Sequence, residues 1–366
     1  VACRTSHFTI GFVIARNTAY TFKGKSVDAK KIGKELGVRY VLEGSVQHYQ
    51  NRVRVNAQLI DAESGAHLWA DRFEEDVADL FKLQDKVVAR LANSLGYKLI
   101  EAEAERSGRS KNPDSVDLTM RGKAMFMKRF QQAANEKEIT HTAQALFEQA
   151  LALDPNNADA LVESGFTYLI DYYYGWRPGA SDYDDKVLGQ ANHAISVAPD
   201  NVGAYYLKSM YLNSSGRPNE GLRAANEGLA INPNYAPLYN ARGWSEISLG
   251  QFDQAKSDVL HAMQLSPRDL TMGLWLANLG DAELGLGDFN SAIDHFQKSI
   301  DFGYRSSYPY RELAAAYALA GKTDEAKAAL VEALKLSPDL TIKSVQRTNP
   351  LPVAIEGLRK AGLPEG

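Results

Sequence analysis

The chain has 366 residues, 45% of them hydrophobic and 23% charged, which are the proportions of an ordinary globular protein. Its formal net charge of −4 offers no basic surface, so we expect no nucleic-acid partner. The single Cys3 excludes disulfide bonds within the chain and zinc sites built from several cysteines. The longest apolar run, Leu313 to Ala320, is too short to cross a bilayer.

The first hundred residues predict a small α/β domain over residues 1–102. Strand signals are runs rich in β-branched residues, and Val53, Val55, Ala57 and Leu59 alternate with polar residues as on a half-buried strand. The predicted elements are a strand over 9–16, a helix between Ser26 and Gly37, strands over 38–46, 52–61 and 66–73, and a long helix from about Ala78. We expect the acidic residues 74–76 to cap that last helix.

Residues 103–115 are predicted to form a linker. They are polar and contain the turn-forming pairs Ser107-Gly108 and Asn112-Pro113. A proline directly before a helical pattern is typical of a helix start. The linker therefore separates the α/β domain from the helical region that follows.

The stretch 236–267 carries the pattern that organises the rest of the chain. Gly243 and Ala255 are spaced to face each other where two antiparallel helices cross, because a close crossing needs small residues. Ala262 is spaced to meet the next unit, and Pro267 ends the second helix. This pattern resembles the tetratricopeptide repeat, a helix-turn-helix unit of about 34 residues.

The pattern recurs along the chain. Pro199, Pro233 and Pro267 follow one another at intervals of 34 residues. In all, about six units fit between Asp117 and Pro338, and the second is lengthened by an insertion between its helices, around Tyr172 to Asp185. The sequence thus predicts a helical solenoid over 116–340, followed by a capping segment over 341–366.

Three motifs extend the resemblance over nearly the whole chain. They are ARNTAYTFKGK, VDAKKIGKELGVRYVLEGSV and RVRVNAQLIDAESGAHLWADRF, all within the first 73 residues. Together they resemble the TolB-like α/β module that precedes tetratricopeptide repeats in bacterial class III adenylate cyclase-related proteins. A similar module occurs in winged-helix regulators that carry repeats.

The resemblance implies that this chain is a regulatory region without catalytic residues. No cyclase or winged-helix domain can be located in this chain, so we expect a non-catalytic region that binds proteins, without cofactor or metal. The leading hypothesis is the regulatory half of an adenylate cyclase-like signalling protein. The alternatives are the sensor half of a winged-helix transcription regulator and a stand-alone repeat scaffold. We expect a cytoplasmic location, or a periplasmic one if a membrane span lies upstream; the sequence leaves the oligomeric state open.

The repeat register predicts which side chains line the concave groove. In tetratricopeptide arrays this groove is formed by the first helix of each repeat, and it receives a protein or peptide. The positions that match are Phe166, Tyr206, Met210, Asn240, Trp244, Asp281, Tyr308 and Arg311. Trp244 is the leading candidate contact, since it directly follows the crossing glycine, with packing between helices as the alternative.

The insertion DYYYGWRPGASDYDD is the most unusual segment of the chain. Its aromatic residues Tyr172, Tyr173, Tyr174 and Trp176 either pack the inserted loop onto the repeats or offer a rigid contact surface to a partner. Packing is the favoured interpretation.

Overall fold

The computed structural model describes residues 27–49, 52–76, 114–130, 135–267, 269–304, 306–348 and 351–366, together with residues 22 and 104. The predicted strand over 9–16, the predicted helix from Ala78 and most of the predicted linker lie outside the described residues. The predicted domain boundaries therefore stay predictions.

The N-terminal region contains one helix and a three-stranded antiparallel sheet. Its elements are α1 (Ala29–Leu36), β1 (Tyr40–Tyr49), β2 (Arg52–Asp61) and β3 (His67–Asp76), with the strands in the order β1-β2-β3. Apolar residues align across the sheet, since Leu59 pairs with Leu42 on one side and with Trp69 on the other. This alignment follows from the alternation in β2, which places every second side chain on one face.

Local signals explain where these elements begin and end. The Asp28 carboxylate accepts the Lys30 N–H and caps α1, while Gly37 ends the helix in a left-handed conformation. The turn after β2 is built on Asp61, whose carboxylate accepts the backbone N–H groups of Glu63 and Ser64.

The prediction that residues 74–76 cap a following helix stays a prediction, because that helix lies outside the described residues. Residues 74–76 belong to β3, where the Glu74 carboxylate bonds Arg54 on the neighbouring strand and Arg72 on its own strand. Glu74 therefore forms an ion pair with Arg72.

From residue 115 onward the described chain is helical, and twelve helices form six antiparallel pairs. Each pair has a first and a second helix; a short turn joins them in pairs three to six, and the connection is longer in the second pair. The pairs are α2 (Ser115–Met127) with α3 (Glu136–Leu153), α4 (Ala158–Tyr174) with α5 (Gln190–Val197), α6 (Val202–Ser214) with α7 (Pro218–Ile231), α8 (Ala236–Ser248) with α9 (Phe252–Leu265), α10 (Met272–Gly285) with α11 (Phe289–Asp301), and α12 (Ser307–Leu319) with α13 (Thr323–Leu336).

Small residues permit the close helix crossings, as the spacing predicts. A Cβ added to Gly243 of α8 would lie 2.8 Å from Val259 Cγ2 and 3.3 Å from the Ala255 carbonyl oxygen of α9. Gly122 and Gly280 occupy the equivalent position in their pairs, and there the ring of a phenylalanine fills the space. These contacts confirm the repeat register.

The first helices lie on the inner side of the solenoid. Neighbouring first helices touch one another from α2 through α4, α6, α8 and α10 to α12. In the described part of the chain, neighbouring second helices make no comparable contact. Because a curved stack brings its inner elements closer together, the first helices form the concave face.

The C-terminal segment folds back onto the last pair. It contains α14 (Ile342–Thr348) and α15 (Pro352–Ala361), and α15 packs chiefly on α12. At Gly357 the two backbones come so close that an added Cβ would lie 2.6 Å from the Ala315 carbonyl oxygen. The chain end is held by backbone bonds from the Ile342 and Lys343 N–H groups to the carbonyl oxygens of Pro364 and Glu365.

Candidate partner-binding groove

The eight residues predicted to line the groove divide into two groups by burial. Phe166, Tyr206, Trp244 and Tyr308 are half-buried and present part of their rings at the concave face. Met210, Asn240, Asp281 and Arg311 are buried. The aromatic four, and not the buried four, are therefore accessible at the concave face.

The buried polar side chains form one connected row across three repeats. The Asn278 amide donates to Asn240 Oδ1 at 3.1 Å, and the Tyr308 hydroxyl donates to the Asp281 carboxylate. Arg311 lies over the Tyr308 ring and bonds Glu312 at 3.0 Å. Buried polar groups need such partners, so this row fixes the relative positions of α8, α10 and α12.

The half-buried rings join into an aromatic surface that crosses several repeats. Phe166 of α4 lies 5.4 Å from Tyr206 of α6, ring centre to ring centre. Trp244 of α8 packs with Leu274 of α10 around the same buried cluster, which includes Met210 and Ala241. The groove is therefore apolar and aromatic along its central repeats.

The insertion packs onto the repeats, as favoured from the sequence, and leaves two of its tyrosines partly exposed. Tyr172 packs it onto the repeats, since its ring contacts Tyr183 and Tyr211 and its hydroxyl bonds the Ser214 carbonyl oxygen. Tyr173 and Tyr174 instead remain 39% and 42% exposed. The Tyr173 ring lies 6.5 Å from Trp244, two repeats further along the solenoid. The insertion thus adds its own rings to the groove.

Three residues that the sequence did not single out for the groove also lie there. Arg129 follows α2, Glu136 begins α3, and Tyr304 precedes α12. Burial raises the pKa of Tyr304 to about 12, and the charges of Glu136 and Arg129 act on it across five repeats. Only the curvature of the solenoid brings these residues together, so no local sequence motif could have predicted their proximity. The one signal in the sequence is that Tyr304 stands where other repeats have a closing proline.

The fixed charges at the groove are largely matched within the protein. The Glu136 carboxylate lies 3.5 Å from Arg129 and accepts the Tyr174 hydroxyl at 3.2 Å. Lys123 lies 3.4 Å from both Asp159 and Glu163, at the first end of the groove. Paired charges of this kind leave the aromatic rings as the main exposed chemistry.

The described residues contain no group of three or more side chains arranged to hold a metal ion. Within the same part of the chain, no helix combines the length and the apolarity that a membrane span requires. Two of the described histidines hydrogen-bond to carboxylates: His295 to Glu283, and His141 to the buried Asp171 at 2.9 Å.

Comparison with known proteins supports the repeat architecture. The family model of the tetratricopeptide repeat matches residues 236–269 and 310–340. The crystal structure of the APC/C hetero-tetramer Cut9–Hcn1 superposes with a TM-score of 0.56 at 15% identity, over 76% of this chain and 48% of that one. The human IFIT1 dimer with PPP-AAAA superposes with a TM-score of 0.50 at 18% identity, over 77% and 73% of the two chains. At these identities the likeness concerns the fold alone.

One relative adds information beyond the fold. A protein of Rhizobium meliloti (strain 1021) that carries the provisional name adenylate cyclase 3 is 35% identical over 215 residues. The match covers 58% of this chain and 36% of the relative, so the chain spans about a third of that protein's length. The chain therefore contains tetratricopeptide repeats within a helical solenoid, has a small antiparallel sheet in its N-terminal region, and is similar in sequence to part of the Rhizobium meliloti protein.

Proposed function

We propose that the solenoid binds a segment of another protein in its concave groove. The observation that carries the proposal is the aromatic surface of Phe166, Tyr206, Tyr173 and Trp244, which is partly exposed and spans pairs two to four. Repeats of this kind serve as scaffolds for protein interaction, and aromatic residues are the side chains that most often anchor such interfaces.

In this proposal the chain acts as a regulatory region of an adenylate cyclase-like signalling protein. The relative's name and its 35% identity support that role, and a TolB-like module remains the proposed identity of the N-terminal sheet region. The sensor half of a winged-helix regulator and a stand-alone scaffold are the alternatives. The gene sequence upstream of Val1 separates the three, since it encodes a cyclase domain, a winged helix or neither.

The groove is tested with peptides selected from a random display library on the immobilised full chain. Selected peptides are resynthesised, and their affinity is measured by calorimetry for the parent and for Trp244→Ala. Loss of an interface anchor should weaken binding by about 2 kcal/mol, or roughly thirtyfold. Val331→Ala is the matched control, because Val331 is an exposed apolar residue on the second helix α13.

Thermal unfolding of each variant is measured alongside. If Trp244 mainly fills space between helices, Trp244→Ala lowers the unfolding temperature and leaves the affinity of the folded protein unchanged. Selected peptides that bind a folded Trp244→Ala variant as tightly as the parent would contradict the proposal.

A further inference from the structure

The two outer strands of the N-terminal sheet differ in how well they are protected against pairing with another strand. β3 carries five charged residues between Asp71 and Asp76, and its register with β2 contains a shift. Such charges and irregularities hinder edge-to-edge pairing. β1 has an unbroken register over its ten residues, contains neither lysine, arginine nor proline, and has Glu43 as its one acidic residue. Among the described strands β1 pairs with β2 alone, so it is the less protected edge.

The backbone groups of β1 point alternately towards β2 and away from it. The Ala62 N–H donates to the carbonyl oxygen of Arg39, which lies opposite it when the register of β1 and β2 is continued by one residue. In an antiparallel ladder, residues bonded to the partner strand alternate with residues that are not. The odd-numbered residues of β1 therefore bond β2. The N–H and C=O groups of Leu42, Gly44 and Val46 point to the outer edge.

Two of the same residues also carry exposed apolar side chains. Leu42 and Val46 lie on one face of β1 and are 49% and 61% exposed. Residues aligned with them on β2 and β3 share that face, and of these Leu59 and Phe73 are only 3% and 7% exposed. The apolar face of the sheet is thus buried at its centre and exposed along β1. Backbone groups and apolar side chains are available at the same edge.

A second copy of β1 matches this edge because the strand is complementary to itself. Gly44 lies midway between Leu42 and Val46, so a two-fold axis at Gly44 sets Leu42 opposite the second copy's Val46, and the reverse. Both members of each pair direct their backbone groups outward. Three such pairs, with Gly44 opposite its own copy, would exchange about six N–H···O=C bonds.

Charge and side-chain alignment favour this register over its neighbours. An axis at Glu43 would set that carboxylate opposite its own copy, and like charges directly opposite each other are destabilising. With the axis at Gly44, Glu43 instead faces Ser45, while its carboxylate accepts the Gln58 amide at 3.0 Å. An axis at Ser45 would separate Leu42 from Val46. The register at Gly44 therefore joins the apolar rows of the two sheets: Trp69, Leu59 and Leu42 of one copy meet Val46, Val55 and Phe73 of the other.

We propose that the chain forms a two-fold symmetric dimer in which β1 pairs antiparallel with β1 of a second copy, centred on Gly44. The two three-stranded sheets then become one continuous sheet. A contact between two edge strands involves few side chains and belongs to the small class of interfaces, so we expect a dissociation constant in the micromolar range. The inference goes beyond the binding of a partner in the groove, since all of its residues lie in the N-terminal sheet.

The test is sedimentation velocity of the full chain from about 1 to 200 μM, a range that brackets micromolar affinities. We expect the parent to change from monomer to dimer across this range. Val46→Lys should weaken the dimer at least about tenfold, because a lysine at an edge strand opposes pairing and would lie against the second copy's Leu42. Val331→Lys is the matched control, since Val331 is 51% exposed on the solenoid helix α13.

Thermal unfolding of both variants is measured alongside, and the exposure of Val46 predicts an intact fold. A parent chain that stays monomeric at every concentration would overturn the proposal. A dimer that Val46→Lys and Val331→Lys weaken equally, or not at all, would overturn it as well.

A charge exchange tests the register. Leu42→Glu and Val46→Lys should each weaken the dimer alone. In the combined variant, Glu at 42 would lie opposite Lys at 46 of the second copy, and opposite charges across strands attract. The combined variant should therefore dimerise several times more tightly than the product of the two single effects predicts. Losses that simply multiply would refute a pairing centred on Gly44.

Hydrogen exchange tests the backbone contact. The outward N–H groups of Leu42, Gly44 and Val46 should exchange more slowly at high than at low protein concentration in the parent, and equally at both concentrations in Val46→Lys. A dimer whose β1 exchanges at the same rate at both concentrations would use another surface, which overturns the proposal. Trp244→Ala should leave the dimer unchanged, so this inference and the proposed groove fail independently.

Discussion

The crossing of α8 and α9 at Gly243 yields a prediction whose size follows from the structure. An alanine Cβ at Gly243 would lie 2.8 Å from Val259 Cγ2, closer than carbon atoms normally approach. Val259 is fully buried and β-branched in a helix, so its side chain has one strongly preferred rotamer and cannot turn away. Overpacking of this kind costs about 1–3 kcal/mol.

Gly189 supplies the matched control for the same chemical change. It has helical backbone angles, φ −57° and ψ −49°, and an added Cβ would meet nothing within 4 Å. Gly189→Ala should therefore stabilise the protein by about 0.4–1 kcal/mol, through reduced entropy of the unfolded chain. Gly243→Ala has the same entropic gain but also the clash with Val259, so it should be about 1–3 kcal/mol less stable than Gly189→Ala. Gly243→Leu should be less stable still.

The measurement is urea unfolding followed by far-ultraviolet circular dichroism. The midpoints are compared only after the dependence of the unfolding free energy on urea concentration is shown to have the same slope in each variant. Because repeat arrays can unfold in parts, native-state hydrogen exchange should show that the loss is concentrated in α8 and α9. If Gly243→Ala were as stable as Gly189→Ala, the crossing would be looser than described and the register argument would be refuted.

Three further predictions concern pH, domain boundaries and activity. Burial and the neighbouring Asp258 raise the pKa of Glu246 from 4.5 to about 7. Between these two pH values the Glu246 carboxyl is protonated in the folded protein and ionised in the unfolded chain, so the free energy of unfolding falls as the pH rises from about 4.5 to 7. Glu246→Gln should remove this fall, of up to about 3 kcal/mol; an unchanged pH profile of the unfolding midpoint would contradict it. Limited proteolysis should cut within residues 101–115, and fragments arising mainly inside the repeats would count against a linker there. Purified chain should form no cyclic nucleotide from ATP or GTP with magnesium or manganese, and product in that assay would disprove a purely regulatory role.

The sequence by itself determined the local units of this protein. Recurring Gly, Ala and Pro positions specify helix crossings and helix ends, because those features depend on residue size and backbone geometry within about 34 residues. The helix crossings at Gly122, Gly243 and Gly280 follow that register. The alternation in 52–61 likewise predicted the strand β2, which begins and ends at those residues.

Only the tertiary structure decided which side chains share the groove. Tyr173 meets Trp244 and Arg129 acts on Tyr304 because the curved stack brings together helices that are far apart in sequence. The register placed Asn240, Asp281 and Arg311 at the groove, but the packing of α8, α10 and α12 buried them in a polar row. Burial depends on every neighbouring helix at once, so a pattern read along one repeat cannot determine it.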